Sequence, residues 1–330
     1  VTGATLSLGG QGTNSLIQGA VNGTGTLNVA ADTTTIDTTG DVNTDMTVAS
    51  GATGVNNGNV EDVANAGTFT NNGVAADITN TGALTLNAST SASVTQDTEA
   101  GATTIVDGAA TVTGLTNIDT GSLTINDTLT AEGNIDIAAD GVLTVAGAGA
   151  VAAGTGTGSI TNASTALSSN AGIVLDITNS GNFSNTGTAG GVTNSGTFTN
   201  TGTVASLINS ANEFTNTGGT ITGAASVTGG TLDVDGGSVG ATTNSGGIVE
   251  LSGGAIMASL TQNGGTLTTI DGPATVTGLT DINSGILDVQ SGQTLTTTGV
   301  DMAAGTTLNL AGTITGDVGN AGTLNACLLY

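Results

Sequence analysis

The chain of 330 residues contains no lysine, arginine or histidine, against 25 aspartate and glutamate residues, so its formal net charge at pH 7 is −25. A direct nucleic-acid partner is excluded, because no side chain could neutralise backbone phosphates. An anionic membrane surface is disfavoured for the same reason. The missing residue types also exclude a Ser-His-Asp triad, a Cys-His pair, a Schiff-base lysine and an arginine clamp.

Cysteine is nearly absent as well, since Cys327 is the only one. No internal disulfide can form, and the usual zinc ligand sets are excluded because histidine is missing too. Cys327 is expected to be a small buried hydrophobe, with an intermolecular bridge as the alternative. No apolar run is long enough to span a bilayer, and no signal peptide begins at Val1. The sequence therefore predicts either a processed mature chain or a piece of a longer one.

Large side chains are scarce: aromatics make up 2% of the chain, tryptophan is absent, and glycine accounts for 56 residues. Such a chain cannot fill an ordinary globular core at native density. Low complexity makes disorder the competing interpretation. However, 37% of the residues are hydrophobic, and they alternate with Thr, Ser and Asn in short runs closed by Gly or Asn. That alternation favours short strands separated by turns.

A short phrase recurs at a fixed period. NSG or NSA starts at Asn179, Asn194 and Asn209, fifteen residues apart, and the related NAG and NTG start at Asn65 and Asn80. A short fixed period is typical of a solenoid. The sequence thus predicts an all-β fold, a single parallel β-helix of about 15–21 residues per coil without helices.

A longer duplication overlies the short one. Residues 107–125 match residues 271–289 at 12 of 19 positions with an offset of 164, and residues 135–147 resemble residues 300–312 with an offset of 165. No proline-rich or serine-rich hinge separates the copies. We therefore expect one domain over 1–330, built from two diverged blocks at approximately 1–165 and 166–330.

Residues 194–208 illustrate one predicted coil, with three short strands and three corners in a slim triangle. Asn and Gly tolerate positive φ, so the predicted corners are Asn179, Gly181, Asn194, Gly196 and Asn209. Aligned Asn side chains are expected to bond into ladders. The predicted core column contains Phe69, Phe183, Phe198 and Phe214. About 19 such coils would give a rod about 90 Å long.

Both ends of the sequence lie inside the strand pattern, and neither shows a helix, a proline or a charged cap. This favours either head-to-tail stacking of copies into filaments or a segment of a longer parent chain. The residues expected to make the end-to-end contact are Val1, Thr2, Leu324, Cys327, Leu328, Leu329 and Tyr330.

Catalysis would have to depend on carboxylates, as in glycosidases with paired acids. The candidate groups by spacing are Asp233 with Asp235, and Asp37 with Asp41 and Asp45. A sugar cleft also needs aromatic platforms, of which this chain has few, so we predict that it is not an enzyme and keep a β-helical carbohydrate-active enzyme as the alternative.

Calcium is the one cofactor for which candidate ligands can be named. Asp41, Asn43 and Asp45 stand at positions 1, 3 and 5 of an EF-hand loop, but Met46 replaces the required glycine. Asp281 and Asn283 form a second loop-like candidate. Solvated turns are the alternative interpretation of both.

Thr-x-Thr pairs begin at Thr68, Thr111, Thr197, Thr275 and Thr313. Rows of outward threonine on a solenoid face can bind ice, although threonine is also a favoured residue for any exposed strand. The spacing of these pairs along the chain varies too much to predict one regular array, so an ice-binding module with a Thr-x-Thr face is kept as a further alternative function.

The phrase NSGTFTNTGTV at 194–204, with strands such as GSLTI at 121–125, resembles the passenger regions of bacterial autotransporter and haemagglutinin-like adhesins. The resemblance covers nearly the whole chain. It implies a secreted, right-handed β-helix on the bacterial cell surface, with a cell-surface or polysaccharide ligand. The expected function is a structural β-solenoid, as an adhesin stalk or an extracellular fibre subunit that stacks end to end.

Overall fold

The computed structural model describes residues 5–10, 12, 14–96, 101–156 and 158–326. Within these residues the regular structure is entirely β-strand, and no helix occurs. The strands pair in parallel with the equivalent strand of the next coil, for example β-strand residues Phe183 with Phe198 and Phe198 with Phe214. The predicted fold class, an all-β parallel solenoid, is confirmed. Its handedness stays an expectation from the resemblance.

The chain divides into two compact units, residues 1–175 and 176–330. The prediction of one domain made of two diverged blocks stays a prediction. The strands of the first unit are β1 (Thr5–Leu8), β2 (Ser15–Ile17), β3 (Ala20–Val29), β4 (Thr33–Ile36), β5 (Asp41–Val48), β6 (Thr53–Asn56), β7 (Asn59–Val60), β8 (Val63–Asn65), β9 (Thr68–Asn71), β10 (Val74–Asn80), β11 (Ala83–Leu86), β12 (Thr90–Gln96), β13 (Thr103–Val106), β14 (Ala110–Val112), β15 (Thr116–Ile125), β16 (Thr128–Ala131), β17 (Ile135–Val145), β18 (Ala150–Ala153), β19 (Ile160–Asn162), β20 (Leu167–Asn170) and β21 (Ile173–Val174).

The second unit repeats the same kind of coil. Its strands are β22 (Ile177–Asn179), β23 (Asn182–Asn185), β24 (Thr188–Asn194), β25 (Thr197–Asn200), β26 (Thr203–Asn209), β27 (Glu213–Thr217), β28 (Thr220–Ile221), β29 (Ala225–Val227), β30 (Thr231–Asp235), β31 (Ser238–Asn244), β32 (Ile248–Ser252), β33 (Ala255–Gln262), β34 (Leu267–Ile270), β35 (Ala274–Ile282), β36 (Ile286–Val289), β37 (Thr294–Met302), β38 (Thr307–Leu310), β39 (Thr313–Asn320) and β40 (Thr323–Ala326).

Each coil contributes to three faces. In the first unit the first face is formed by β2, β4, β6, β9, β11, β13, the ends of β15 and β17, and β20. In the second unit it is formed by β23, β25, β27, β30, β32, β34, β36, β38 and β40. The second and third faces follow along the chain, and strands such as β26 run through both without a break. The sequence predicts three separate strands for each coil. Where β26 is continuous, the strands of the second and third faces are joined, and the coil therefore has two strands.

Coil lengths follow from the register on the first face. Thr70 pairs with Thr85, fifteen residues on, whereas Val145 pairs with Asn170, twenty-five residues on. The predicted upper limit of the coil length was therefore wrong for this coil. Relative to the preceding coil, its additional residues lie between β17 and β18 and between β18 and β19, outside the strands of the first face. A solenoid accommodates such insertions at its corners because only the strands must stay in register.

The core is a narrow column of inward side chains, since alternate residues of each strand point to opposite faces. Phe198 lies between Phe183 and Phe214, with ring centroids 5.3 and 4.9 Å away and nearly parallel ring planes. All three rings and Phe69 are buried. Small residues fill the remaining space, and Gly54 lies against the ring of Phe69. The few large side chains of the protein therefore lie inside this thin core, next to small residues.

Candidate functional site

The asparagines that the sequence assigned to corners lie at the ends of strands and are buried. The side-chain amide of Asn179 donates to Oδ1 of Asn194 at 2.8 Å, and that of Asn194 donates to Oδ1 of Asn209 at 2.8 Å. Asn194 also donates to the carbonyl oxygen of Gly196 at 2.9 Å. The predicted ladder of aligned Asn side chains is therefore confirmed, and it lies inside the coil.

The corner glycines are required for a different reason from the predicted one. Neither Gly181 nor Gly196 has positive φ, and in the described part of the chain the non-glycine residues that do are Asp32, Ala88 and Asn212. A Cβ at Gly196 would lie 2.2 Å from the carbonyl oxygen of Gly181 in the preceding coil. The close approach of stacked corners therefore excludes a side chain.

A second amide ladder lies at the carboxyl ends of the strands of the first face. The amide of Asn185 donates to Oδ1 of Asn200 at 2.8 Å, and that of Asn200 donates to Oδ1 of Asn216 at 2.7 Å. The first unit has the same arrangement, with Asn56 donating to Asn71 at 2.8 Å. Each buried amide thereby satisfies polar groups of two coils.

Sequence reasoning missed two buried glutamines. Nε2 of Gln96 donates to the carbonyl oxygen of Thr120 at 2.6 Å, and Nε2 of Gln262 donates to that of Ser284 at 2.6 Å. Both side chains are fully buried. Their separation along the chain is close to the offset of the duplication, so a comparison of the two blocks outside their best-matching segments could have found them.

The candidate carboxylates of the second unit lie on the outer surface of its first face. Asp233 and Asp235 alternate with the buried Leu232 and Val234 along β30. Asp233 is the register partner of Glu250 in β32. A like-charged pair therefore lies directly across two neighbouring strands.

This pair is electrostatically strained. Burial, reinforced by the charges of Glu250 and Glu213, raises the pKa of Asp233 to about 6. Burial and the nearby Asp271 raise the pKa of Glu250 as well. The four phenylalanines of the sequence are all buried, so none of them provides an aromatic platform beside these acids. Asp233 can exchange a proton near pH 6, but this outer surface lacks a phenylalanine to hold a sugar ring.

The other candidate acids do not converge. Asp37 follows β4 and accepts a hydrogen bond from Gln18 at 3.1 Å, which lowers its pKa together with the backbone amide of Thr38. Asp41 begins the part of β5 on the second face, and Asp45 begins the part on the third face. Asp37, Asp41 and Asp45 are therefore distributed around the coil.

In both candidate calcium sites, the side-chain amide of an asparagine donates a hydrogen bond to the carboxylate that would bind the ion. Nδ2 of Asn43 donates to Asp41 at 3.0 Å, and Nδ2 of Asn283 donates to Asp281 at 3.0 Å. An NH₂ group rather than a ligand oxygen thus faces each carboxylate. Over the described chain, no group of three or more acidic or thiol side chains is placed to hold a metal ion.

The third face of the first unit carries a shallow acidic groove of about 250 Å³, lined in part by Asp45, Asp62 and Asp77. Oδ1 of Asp62 accepts the backbone amide of Asp77 at 3.2 Å, and Oδ1 of Asp77 accepts the hydroxyl of Ser93 at 2.7 Å. Two of the three carboxylates therefore accept hydrogen bonds from the next coil.

Of the predicted end-contact residues, only Leu324 belongs to the described structure, and its side chain is 52% exposed. It is the register partner of Leu308, which is buried. Val1, Thr2, Cys327, Leu328, Leu329 and Tyr330 lie outside the described residues.

The five Thr-x-Thr pairs do not form one array. Those at Thr68 and Thr197 lie on the first faces of different units, and those at Thr111, Thr275 and Thr313 lie on second faces. Variable spacing nevertheless does not prevent alignment, because Thr33, Thr53 and Thr68 are successive register partners although their two spacings along the chain differ. The sequence-based reason for rejecting a regular threonine array was wrong.

No family model matches the chain, and neither the curated proteins nor the solved structures include a match. Among the described residues, no helix is long and apolar enough to cross a membrane.

Proposed function

We propose that this protein is a secreted or cell-surface structural β-solenoid, serving as an adhesin stalk or an extracellular fibre subunit that stacks end to end. The location and the adhesin class depend on the resemblance to autotransporter and haemagglutinin-like passengers. A structural role is supported by the amide ladders, which link coil to coil through buried hydrogen bonds of 2.7–2.8 Å.

The observation that carries the stacking proposal is the exposure of inward positions in the last described coil. Val318 and Leu324 are the register partners of the buried Val300 and Leu308, yet they are 45% and 52% exposed. A further coil placed there would bury both and pair the open strand edges of β39 and β40. In the first unit, Leu6 is likewise 47% exposed although its partner Leu27 is buried.

The further coil can come from a second copy of the protein or from a longer parent chain. We propose that it comes from a second copy. Head-to-tail contacts between unlike surfaces generate open filaments. Electron microscopy and sedimentation of the purified protein at increasing concentration test this. Filaments support the proposal, and discrete particles at every concentration contradict it.

A charged substitution in the last described coil makes the test specific for coil stacking. Leu324→Asp should abolish filaments, because it places a carboxylate where the next coil would bury it. Ile256→Asp is the matched control, since Ile256 is 47% exposed but lies between the buried Ala255 and Met257 and points outward. Equal loss of assembly in both variants would show a general charge effect and contradict coil stacking.

The proposal includes no catalytic step. Asp233 and Glu250 would be the acids of the alternative, a carbohydrate-active enzyme. Release of reducing sugar from polysaccharide substrates, lost in Asp233→Asn, would replace the structural proposal with the enzymatic one.

A further inference from the structure

The outer surface of the first face in the first unit has an unusual composition. We call it the threonine face. It consists of the first and third residues of six four-residue strands, β4, β6, β9, β11, β13 and β20. The last four residues of β15 and of β17 form two further segments, and their first and third residues belong to the face as well. Of these sixteen positions, nine are threonine, two are serine and five are aliphatic. The face is therefore built almost entirely from hydroxyl and methyl groups.

The positions form two columns that run from coil to coil. Thr33, Thr53 and Thr68 are aligned in the first column, and Thr70 with Thr85 in the second. Neighbouring strands of a sheet lie ~4.8 Å apart, and alternate residues of one strand lie ~6.7 Å apart. The face thus presents hydroxyl and methyl groups on a two-dimensional lattice, although the coils beneath it differ in length.

The eleven hydroxyl groups of this face make no hydrogen bond to any other part of the described protein. Threonines at corners behave differently: Thr81 donates to the carbonyl oxygen of Asn65 at 3.1 Å, and Thr165 to that of Ala139 at 3.1 Å. The hydroxyl groups of the threonine face are therefore free to bond to an external partner.

Charge is excluded from this face. None of the residues in its eight strand segments is acidic, although the protein carries a net charge of −25. The first face of the second unit, built from the same kind of strand, carries Glu213, Asp233, Glu250 and Asp288. An uncharged face on so acidic a protein is complementary to a neutral partner.

We propose that the threonine face binds ice, that is, the ordered water lattice at the surface of an ice crystal. The two repeats of the face are close to repeat distances between oxygen atoms on ice surfaces. Each hydroxyl can bond to a lattice water, and each methyl group restricts the water next to it without competing for its hydrogen bonds. Charged groups would instead orient water around themselves. This surface is separate from the coil-stacking surface of the proposed function and does not depend on it.

The test uses the purified full chain in measurements of ice shaping, freezing-point depression relative to the melting point, and inhibition of ice recrystallisation. The wild-type protein should shape ice crystals and inhibit recrystallisation. Thr70→Tyr and Thr85→Tyr place large rings at adjacent lattice positions and should remove most of this activity. Thr70→Ser keeps the hydroxyl but loses the methyl group, and it should retain part of the activity.

Thr199→Tyr provides the matched control, because Thr199 points outward from the first face of the second unit between Ser184 and Thr215. It should leave ice activity unchanged. Thermal melts followed by circular dichroism establish that each variant is folded, and Thr70→Ser supplies the comparison if a tyrosine variant fails to fold. Folded wild-type protein without any effect on ice overturns the proposal, as does equal loss in Thr199→Tyr. Binding to crystalline cellulose or chitin that Thr70→Tyr abolishes, without an effect on ice, also overturns it and identifies a polysaccharide surface.

Discussion

The hydroxyl of Thr268 donates a hydrogen bond to the side-chain oxygen of Gln262 at 2.7 Å. The same contact joins Thr104 to Gln96 in the first unit at 2.8 Å. In both units the amide nitrogen of the glutamine then donates to a backbone carbonyl of the following coil, with distances of 2.6 Å. The duplication visible in the sequence has therefore preserved a buried polar contact as well as strand positions.

Gln262→Glu should destabilise the protein strongly at neutral pH. The change replaces a buried donor by a carboxylate that faces the carbonyl oxygens of Ser284 and Ile286. We expect a loss of about 3 kcal/mol at pH 7, measured as a lower midpoint in urea denaturation. Burial raises the pKa of the new carboxyl group, so stability should recover as the pH falls and the protonated acid becomes a donor.

Asn263→Asp is the control for that change, because Asn263 is exposed and its side-chain oxygen, which accepts from Asn283, is retained in the acid. Its effect should stay within about 0.5 kcal/mol. A midpoint for Gln262→Glu equal to that of the control at pH 7 would contradict the role given to the glutamine.

Asn194→Ala should interrupt the amide ladder at its centre. It removes the donor to the side-chain oxygen of Asn209, whereas the amide of Asn179 keeps the carbonyl oxygens of Gly181 and Thr197 as acceptors. One unsatisfied buried oxygen should cost about 1–3 kcal/mol in chemical denaturation. Thr193→Ala, at the exposed neighbouring position, should change stability by less than about 0.5 kcal/mol. Comparable losses in the two variants would show that the ladder contributes little.

Phe198→Leu should lower stability by about 1–2 kcal/mol, since the ring is fully buried between two others. A double-mutant cycle with Phe183→Leu separates stacking from loss of volume. We expect a coupling energy of about 0.5–1.5 kcal/mol, because the centroids of the two rings are 5.3 Å apart. Additive effects would indicate that the rings act only as apolar volume.

The fold could be predicted from the sequence because the alternation of Thr-Phe-Thr and the recurrence of Asn194 report strand register directly. The ladder of Asn194 could be predicted from the same alignment, but the reason for Gly196 could not, since the close approach of stacked corners is visible only in three dimensions. The threonine face was missed for a related reason. Spacing along the chain includes corner insertions, whereas alignment in space depends only on the strands, as the register of Thr33 with Thr53 shows.

Acidification should stabilise the second unit through Asp233. Its pKa is raised from an ordinary value of 3.8 to about 6 in the folded protein, so the folded state binds the proton more tightly than the unfolded state. Stability should therefore rise as the pH falls from above 6 to about 4 and should be independent of this group above that window. Because the carboxyl group is only half-buried, solvent screening limits the gain to about 1 kcal/mol.

Asp233→Asn removes the charge and should give at neutral pH the stability that the wild type gains at lower pH, with a flatter profile between about pH 4 and 6. Glu250→Gln should act in the same direction, since the charge of Glu250 is one cause of the raised pKa. Asp288→Asn is the control, because Asp288 lies two strands further along the column from Glu250, beyond Thr269. Denaturation midpoints measured across this pH range decide the matter: an unchanged pH profile in Asp233→Asn would mean that the strain between Asp233 and Glu250 is not what limits the stability of this face.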